Sequence, residues 1–428
     1  MTIKRAVLWV LTFLVVVVIG SSLANSWNEP QVSGQLQLYQ SNLLLEATEW
    51  EGEGFADTDV ERVRRALLGA DPVEAVIEEY ETVQKQAEKS LAQSRSQLAE
   101  TVAVVSEADS LQYRKLQQVI EQQQQLLNRL TLRLGILTAQ QGDIEAAIAT
   151  WQPLTETAGR YASVAQVLTE IWRESPVVPS DAKAILDTQL EGWFRYRALE
   201  QLYKVQADPQ AVALLAQQEQ AVAEATFVKV ITIGTLPTLG SLVGAVLLII
   251  LVVQRFVQGK AAVLAANATR AWSVPWDGET IWQVLVVGFF FVGQILIPFI
   301  LSASGLSFAT TSSRMRAIYS MLYYLLMAGG GIAVLIASVR THLPLPEGWF
   351  RFKLFDKWPL WGWGGYLCVL PLMIGVSLLN QQLWQGQGGS NPLLQTVLEE
   401  SDGVALLLFF LTASIAAPLF EEVLFRGL

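Results

Sequence analysis

Six long apolar runs punctuate this chain, and one long polar stretch separates the first from the rest. Residues 6–24, AVLWVLTFLVVVVIGSSLA, form the first run; the others occupy 228–253, 281–303, 318–338, 360–380 and 404–425. Each is close to the ~20 residues a helix needs to cross a bilayer. Between them, residues 26–227 carry helix-forming composition. From Val60 to Leu137 they are rich in Glu, Gln, Ala, Leu, Lys and Arg, with almost no proline. Leu116, Val119, Gln123, Leu126, Leu130, Leu134 and Leu137 step by threes and fours, the spacing of one helix face. Gln123 interrupts that face, and the run is too short to specify a coiled coil. The expected fold class is therefore all-α: a polytopic membrane helix bundle plus an extracytoplasmic α-helical domain.

Within the polar stretch, LGILTAQQGDIEAAIATWQPL (Leu134 to Leu154) has the look of one tetratricopeptide-type hairpin. A Leu-Gly pair lies near the end of one helix, Gly142-Asp143 makes the turn, and Ala146, Ala147 and Ile148 pack the next helix back. No convincing second copy appears at a period near ~34 residues, and an array needs several copies to bury its core. An ordinary helical hairpin fits these residues as well as a protein-binding platform does.

Charge sharpens the division. The chain has a net charge of −10, yet residues 29–224 hold 30 acidic and 16 basic groups, so the remainder is net basic. With no basic stripe, nucleic acid is excluded as a partner. A single cysteine, Cys368, rules out an intrachain disulfide. Lys4 and Arg5 before the first run hold the N-terminus in the cytoplasm. Residues 1–25 are then a signal peptide or a signal anchor, 26–227 an exported helical domain, and 228–428 a multi-span membrane domain. Arg255, Lys260 and Arg270 mark one cytoplasmic loop; Arg340, Arg351, Lys353 and Lys357 mark another. The loop from Gln381 to Gly403 has no Lys or Arg and carries Glu399, Glu400 and Asp402, so it faces outward. Only Arg314 and Arg316 oppose this scheme. It describes an integral protein of a bacterial inner or thylakoid-type membrane. Trp349, Trp358, Trp361 and Trp363 read as interfacial anchors. Gly240, Gly244 and Gly329-Gly330-Gly331 read as places of close helix approach or kinking.

Chemistry concentrates in the last run. APLFEEVLFRGL places Glu421, Glu422 and Arg426 in six positions of an apolar segment. Ionisable groups inside a span are costly and mark functional sites. On a helix Glu422 and Arg426 share a face, acid before base, while Glu421 points about 100° away. Glu422 then has a local partner and Glu421 does not. A desolvated carboxyl shifts toward the range of a general base. A purely structural Glu422–Arg426 staple explains the same residues. Pro418 frees the carbonyl of Ser414 and bends the span.

The stretch resembles the first signature motif, E-E-x-x-x-R, of the CPBP family of CAAX-processing and bacteriocin-processing (Abi) proteases. The likeness covers about a dozen residues, including Pro418 and the Phe-Arg-Gly ending. It implies an intramembrane endopeptidase acting on a protein or peptide substrate, with Glu421 activating water and Glu422 and Arg426 supporting it. The family's metalloprotease description would add zinc; its other description uses glutamate with polarising histidines. The two later histidine motifs of that family do not occur here. The only histidine, His342 in VRTHLPLP, matches neither, and no H-E-x-x-H zinc pair is present. The expectation is that the chain continues past Leu428 in a longer protease and is inactive alone. Two other readings stand beside it: a non-enzymatic membrane protein of immunity or scaffold type, and a membrane-anchored adaptor whose function lies in 26–227 with a protein partner.

Overall fold

The computed structural model describes residues 2–27, 33–52, 62, 64–65, 68–69, 71–104, 111–156, 159–265, 274–305, 312–344, 357–384 and 402–426. Arg270, Trp349, Arg351, Lys353, Glu399 and Glu400 lie outside them, as does the side chain of Arg426. The fold is all-helical, and the described residues contain no strand. Two units divide the chain: Ser33–Leu239, and Met1–Val32 with Gly240–Leu428.

The first unit is a succession of helices: α2 (Ser33–Thr48), α3 (Pro72–Val104), α4 (Leu111–Gln140), α5 (Ile144–Thr155), α6 (Arg160–Trp172), α7 (Ala182–Gln189), α8 (Gly192–Val205) and the start of α9 (Pro209–Gln258). From α4 to α8 each helix packs on the next. In addition α4 touches α6, and α6 touches α8. Neighbour-on-neighbour stacking of this kind builds one continuous core from short hairpins. That core includes Tyr80, Ile136, Leu137, Trp151, Leu168, Phe194 and Leu202. Two turns share one design. Gly142 (φ 92°) precedes Asp143, whose carboxylate accepts from the Ala146 amide at 3.0 Å. Ala207 (φ 52°) precedes Asp208, which accepts from the Ala211 amide at 3.0 Å. Such caps satisfy amides that the first helical turn leaves open.

In the second unit α1 (Ile3–Trp27) packs on a rod that starts as α10 (Gly278–Gln283), continues as a π-helix over Val284–Leu296 and ends as α11 (Ile297–Ala303). The rod lies against α12 (Ser313–Val339), and α12 against α14 (Gly403–Leu411), a π-helical stretch Thr412–Ala416 and α15 (Ala417–Arg426). α13 (Trp358–Trp384) crosses the second half of α9, where a Cβ on Gly244 would strike the backbone carbonyl of Leu367. Six helices among the described residues are long and apolar enough to span a membrane. They coincide with the six apolar runs.

Glycines set the spacing of this bundle, at Gly330 as the sequence predicts and also at Gly288 and Gly293, while Gly329 meets nothing within 4 Å. A Cβ on Gly330 would lie 2.6 Å from Val292, one on Gly293 2.8 Å from Met327, and one on Gly288 3.2 Å from Val334. Without hydrophobic drive between helices in lipid, close packing at small residues holds them together. Tyr323 adds a bond, donating its hydroxyl to the carbonyl of Gly293 at 3.0 Å.

Candidate functional site

The segment that carries Glu421 and Glu422 is built from its start. Asp402 caps α14, accepting from the amides of Val404 at 2.9 Å and Ala405 at 3.3 Å, and pairs with Arg314 across on α12. Arg314, which opposed the positive-inside pattern, is thus neutralised at its own end of the bundle. The π-helical stretch follows, directly ahead of Pro418. Proline has no amide to donate and its ring crowds the carbonyl four residues back. A widened turn at Thr412–Ala416 relieves that conflict without ending the rod.

Beyond it α15 is regular. Phe420 and Leu424, four residues apart, are buried. A Cβ on Gly331 would lie 3.0 Å from the Phe420 ring, which also meets Tyr324 edge-on at 6.1 Å and stacks toward Phe289 at 6.5 Å. Seating those two positions on α12 turns Glu421 and Glu422 away from the core, and both are exposed. Glu421 lies within electrostatic reach of the Tyr324 phenol. Glu422 and Arg426 occupy one face of α15, as a helix requires; their pairing falls on a side chain outside the described residues.

Depth follows from the same contacts. Phe420 is level with Gly331, nine residues and about 14 Å of helix before Arg340. The glutamates therefore lie toward the Arg340 end of α12, among the last five residues of the Gly403–Phe425 span. His342 lies eleven residues past Gly331, roughly 16 Å along the axis, so the structure does not bring it to the glutamates. Among the described residues no group of three or more His, Cys, Asp or Glu side chains could hold a metal ion. The residues beside Glu421 do not form a zinc-binding set, and no step is assigned to a metal.

Three features escaped the sequence reading. Tyr324, on another helix, lies within electrostatic reach of Glu421, which no local spacing announces. The Asp208 turn, 65 residues after the Asp143 turn, replaces Gly with Ala and so hides its kinship. A third feature is tertiary. Arg197 on α8 is ringed by Glu200 at 3.0 Å, Glu49 at 3.8 Å and a close ion pair with Glu219. Trp193 donates to Glu49 at 2.7 Å, and Gln220 donates to the Glu49 carbonyl at 2.6 Å. The cluster fastens the end of α2 to α8 and α9.

No family model, no curated protein and no solved structure matches the chain.

Proposed function

We propose that this protein is an intramembrane endopeptidase of the CPBP type, with Glu421 as the base that activates water on a protein or peptide substrate. The observation that carries the reading is the placement of two adjacent carboxylates within a helix long and apolar enough to span a membrane. They stand turned out from the packed face of α15, behind a π-helical turn and Pro418. Charged groups in a span are costly, and π-turns interrupt helices at functional sites. Tyr324, within electrostatic reach of Glu421, carries a hydroxyl suited to orient a water or a substrate carbonyl. In this reading Glu422 and Arg426 neutralise each other and support the helix. Residues 26–227 lie on the extracytoplasmic side of a bacterial inner or thylakoid-type membrane.

The test is cleavage of membrane-anchored reporter peptides by the full-length protein in proteoliposomes, comparing wild type with Glu421→Gln and Glu422→Gln. Glu421→Gln should abolish cleavage, by a factor of about 10² or more for loss of a general base. Unchanged cleavage in that variant overturns the assignment.

A second reading is favoured by the stacked hairpins from α4 to α9, which suit a surface for binding another protein. In that case the membrane helices serve as an anchor, and Glu421→Gln changes nothing while substitutions on the hairpin surface abolish partner binding.

A further inference from the structure

His342 has no part in the glutamate site, yet it lines the larger of two adjoining cavities at the opposite level of α12. This cavity, of about 430 Å³, is polar: Lys4, Asp277, Gln283, Ser338, Thr341 and His342 face it. A second cavity of about 350 Å³ shares Lys4 and Gln283 with the first and continues along Val7, Leu8 and Val287. All these residues belong to one unit. The two volumes together are of the size that holds a small ligand or part of a larger one.

The polar part sets donors from Lys4, Ser338 and His342 beside one carboxylate, Asp277. Oδ1 of Asp277 accepts from the amide of Thr280 at 3.0 Å and from its hydroxyl at 2.9 Å, which ties the carboxylate to the start of α10. Gln283 donates to the oxygen of Ser338 at 2.9 Å, which leaves the Ser338 proton for another acceptor. Thr341 is bonded to Nδ1 of His342 at 3.2 Å. When its hydroxyl donates, the ring proton sits on Nε2 and is a further donor. Lys4 is held at the rim by Glu279 at 3.1 Å, an ammonium with three protons and one such partner. Arg340 adds positive charge at the same end.

We infer that this pair of cavities binds an anionic phospholipid, the phosphate among Lys4, Ser338 and His342 and the upper acyl chain against Val7, Leu8 and Val287. A donor-lined chamber opening onto an apolar groove matches an amphiphile with a phosphate at one end. Basic pockets between spans at the cytoplasmic surface take lipid headgroups, and Lys4, Arg5 and Arg340 assign this end to that side. A free phosphate would use the polar chamber alone; a neutral diacylglycerol would use the groove alone.

Native mass spectrometry of the full-length protein released from detergent, with added dioleoylphosphatidylglycerol, tests the inference. Wild type should retain the lipid. The double variant Ser338→Ala, His342→Ala should retain it about fivefold less or weaker, the worth of one or two hydrogen bonds, with melting unchanged. Val287→Trp, which fills the groove, should reduce retention independently. Dioleoylglycerol should not be held, and excess inorganic phosphate should not displace the phospholipid. Equal retention by a folded double variant, equal binding of dioleoylglycerol, or displacement by inorganic phosphate would each overturn it.

Discussion

Trp151 packs its indole directly onto Gly135 of the preceding helix and donates from Nε1 to the carbonyl of Leu132 at 3.0 Å. The side chain is fully buried, so nothing around it can yield to an added methyl. Gly135→Ala should destabilise the helical unit by about 1–3 kcal/mol, the usual cost of overpacking, although alanine favours the helix intrinsically. Hydrogen exchange should rise across α4 and α5 first, and an unchanged exchange profile would contradict this packing.

The Arg197 cluster predicts a larger loss. Arg197→Leu keeps bulk but leaves Glu219 buried among acids, with Glu49 and Glu200 close by. Removing one partner of a buried ion pair costs roughly 3–5 kcal/mol. Thermal denaturation of the full-length protein should show an earlier transition, and Arg197→Lys should recover only part of it because lysine cannot fork between carboxylates.

Glu46 gives the unit a pH dependence of definite sign. Burial pushes its carboxyl above the usual range, opposed by a hydrogen bond from Thr226 at 3.0 Å and by Lys229. The folded state then holds the proton to higher pH than the unfolded state. Stability from this group is greatest below the unfolded pKa and falls as pH rises through the raised one. Glu46→Gln keeps an acceptor for Thr226 and removes the charge. It should therefore melt above wild type at pH 8, with the difference vanishing near pH 4. A variant that melts below wild type at pH 8 would show the charge to be favourable there.

The N-terminal helix is bound as an integral part of its unit. Trp9 meets Trp282 edge-on at 5.1 Å, Trp282 donates to Thr12 at 2.9 Å, Leu8 and Val15 are buried, and Arg5 pairs with Glu279 at 2.7 Å. A retained anchor keeps these contacts, and a cleaved signal loses them. Intact-mass measurement of the purified protein should find residues 3–27 present; a mature protein lacking them would decide for cleavage.

Span positions were legible in the sequence because crossing a bilayer demands length and apolarity, which hydropathy records directly. Close approach was legible at Gly240, Gly244, Gly330 and Gly331, but not at Gly329, where an added Cβ meets nothing within 4 Å. The boundary near 227 was read from composition, yet α9 continues from Pro209 to Gln258 through it, with Pro237 inside. Composition changes there while the backbone does not. For the glutamates, helical phase was readable from spacing, and their outward position agrees with the burial of Phe420 and Leu424. Loop charges place them near the cytoplasmic end of the last run, but their neighbours were not readable, because these depend on Phe420 meeting Gly331 of another helix. Neither were the π-helical stretches, which change hydrogen-bond register without changing hydropathy.

That register has a mechanical consequence. The widened turn at Thr412–Ala416 stores one surplus residue in the rod that carries the two glutamates. Were it to relax to ordinary α-geometry while Asp402 stayed tied to Arg314, everything beyond it would rotate by about 100°. Phe420 would leave its seat on Gly331, and Glu421 and Glu422 would sweep onto a different side of the helix. The bearing of both carboxylates is therefore set one turn upstream of them, by a choice of backbone partner rather than by any contact of their own.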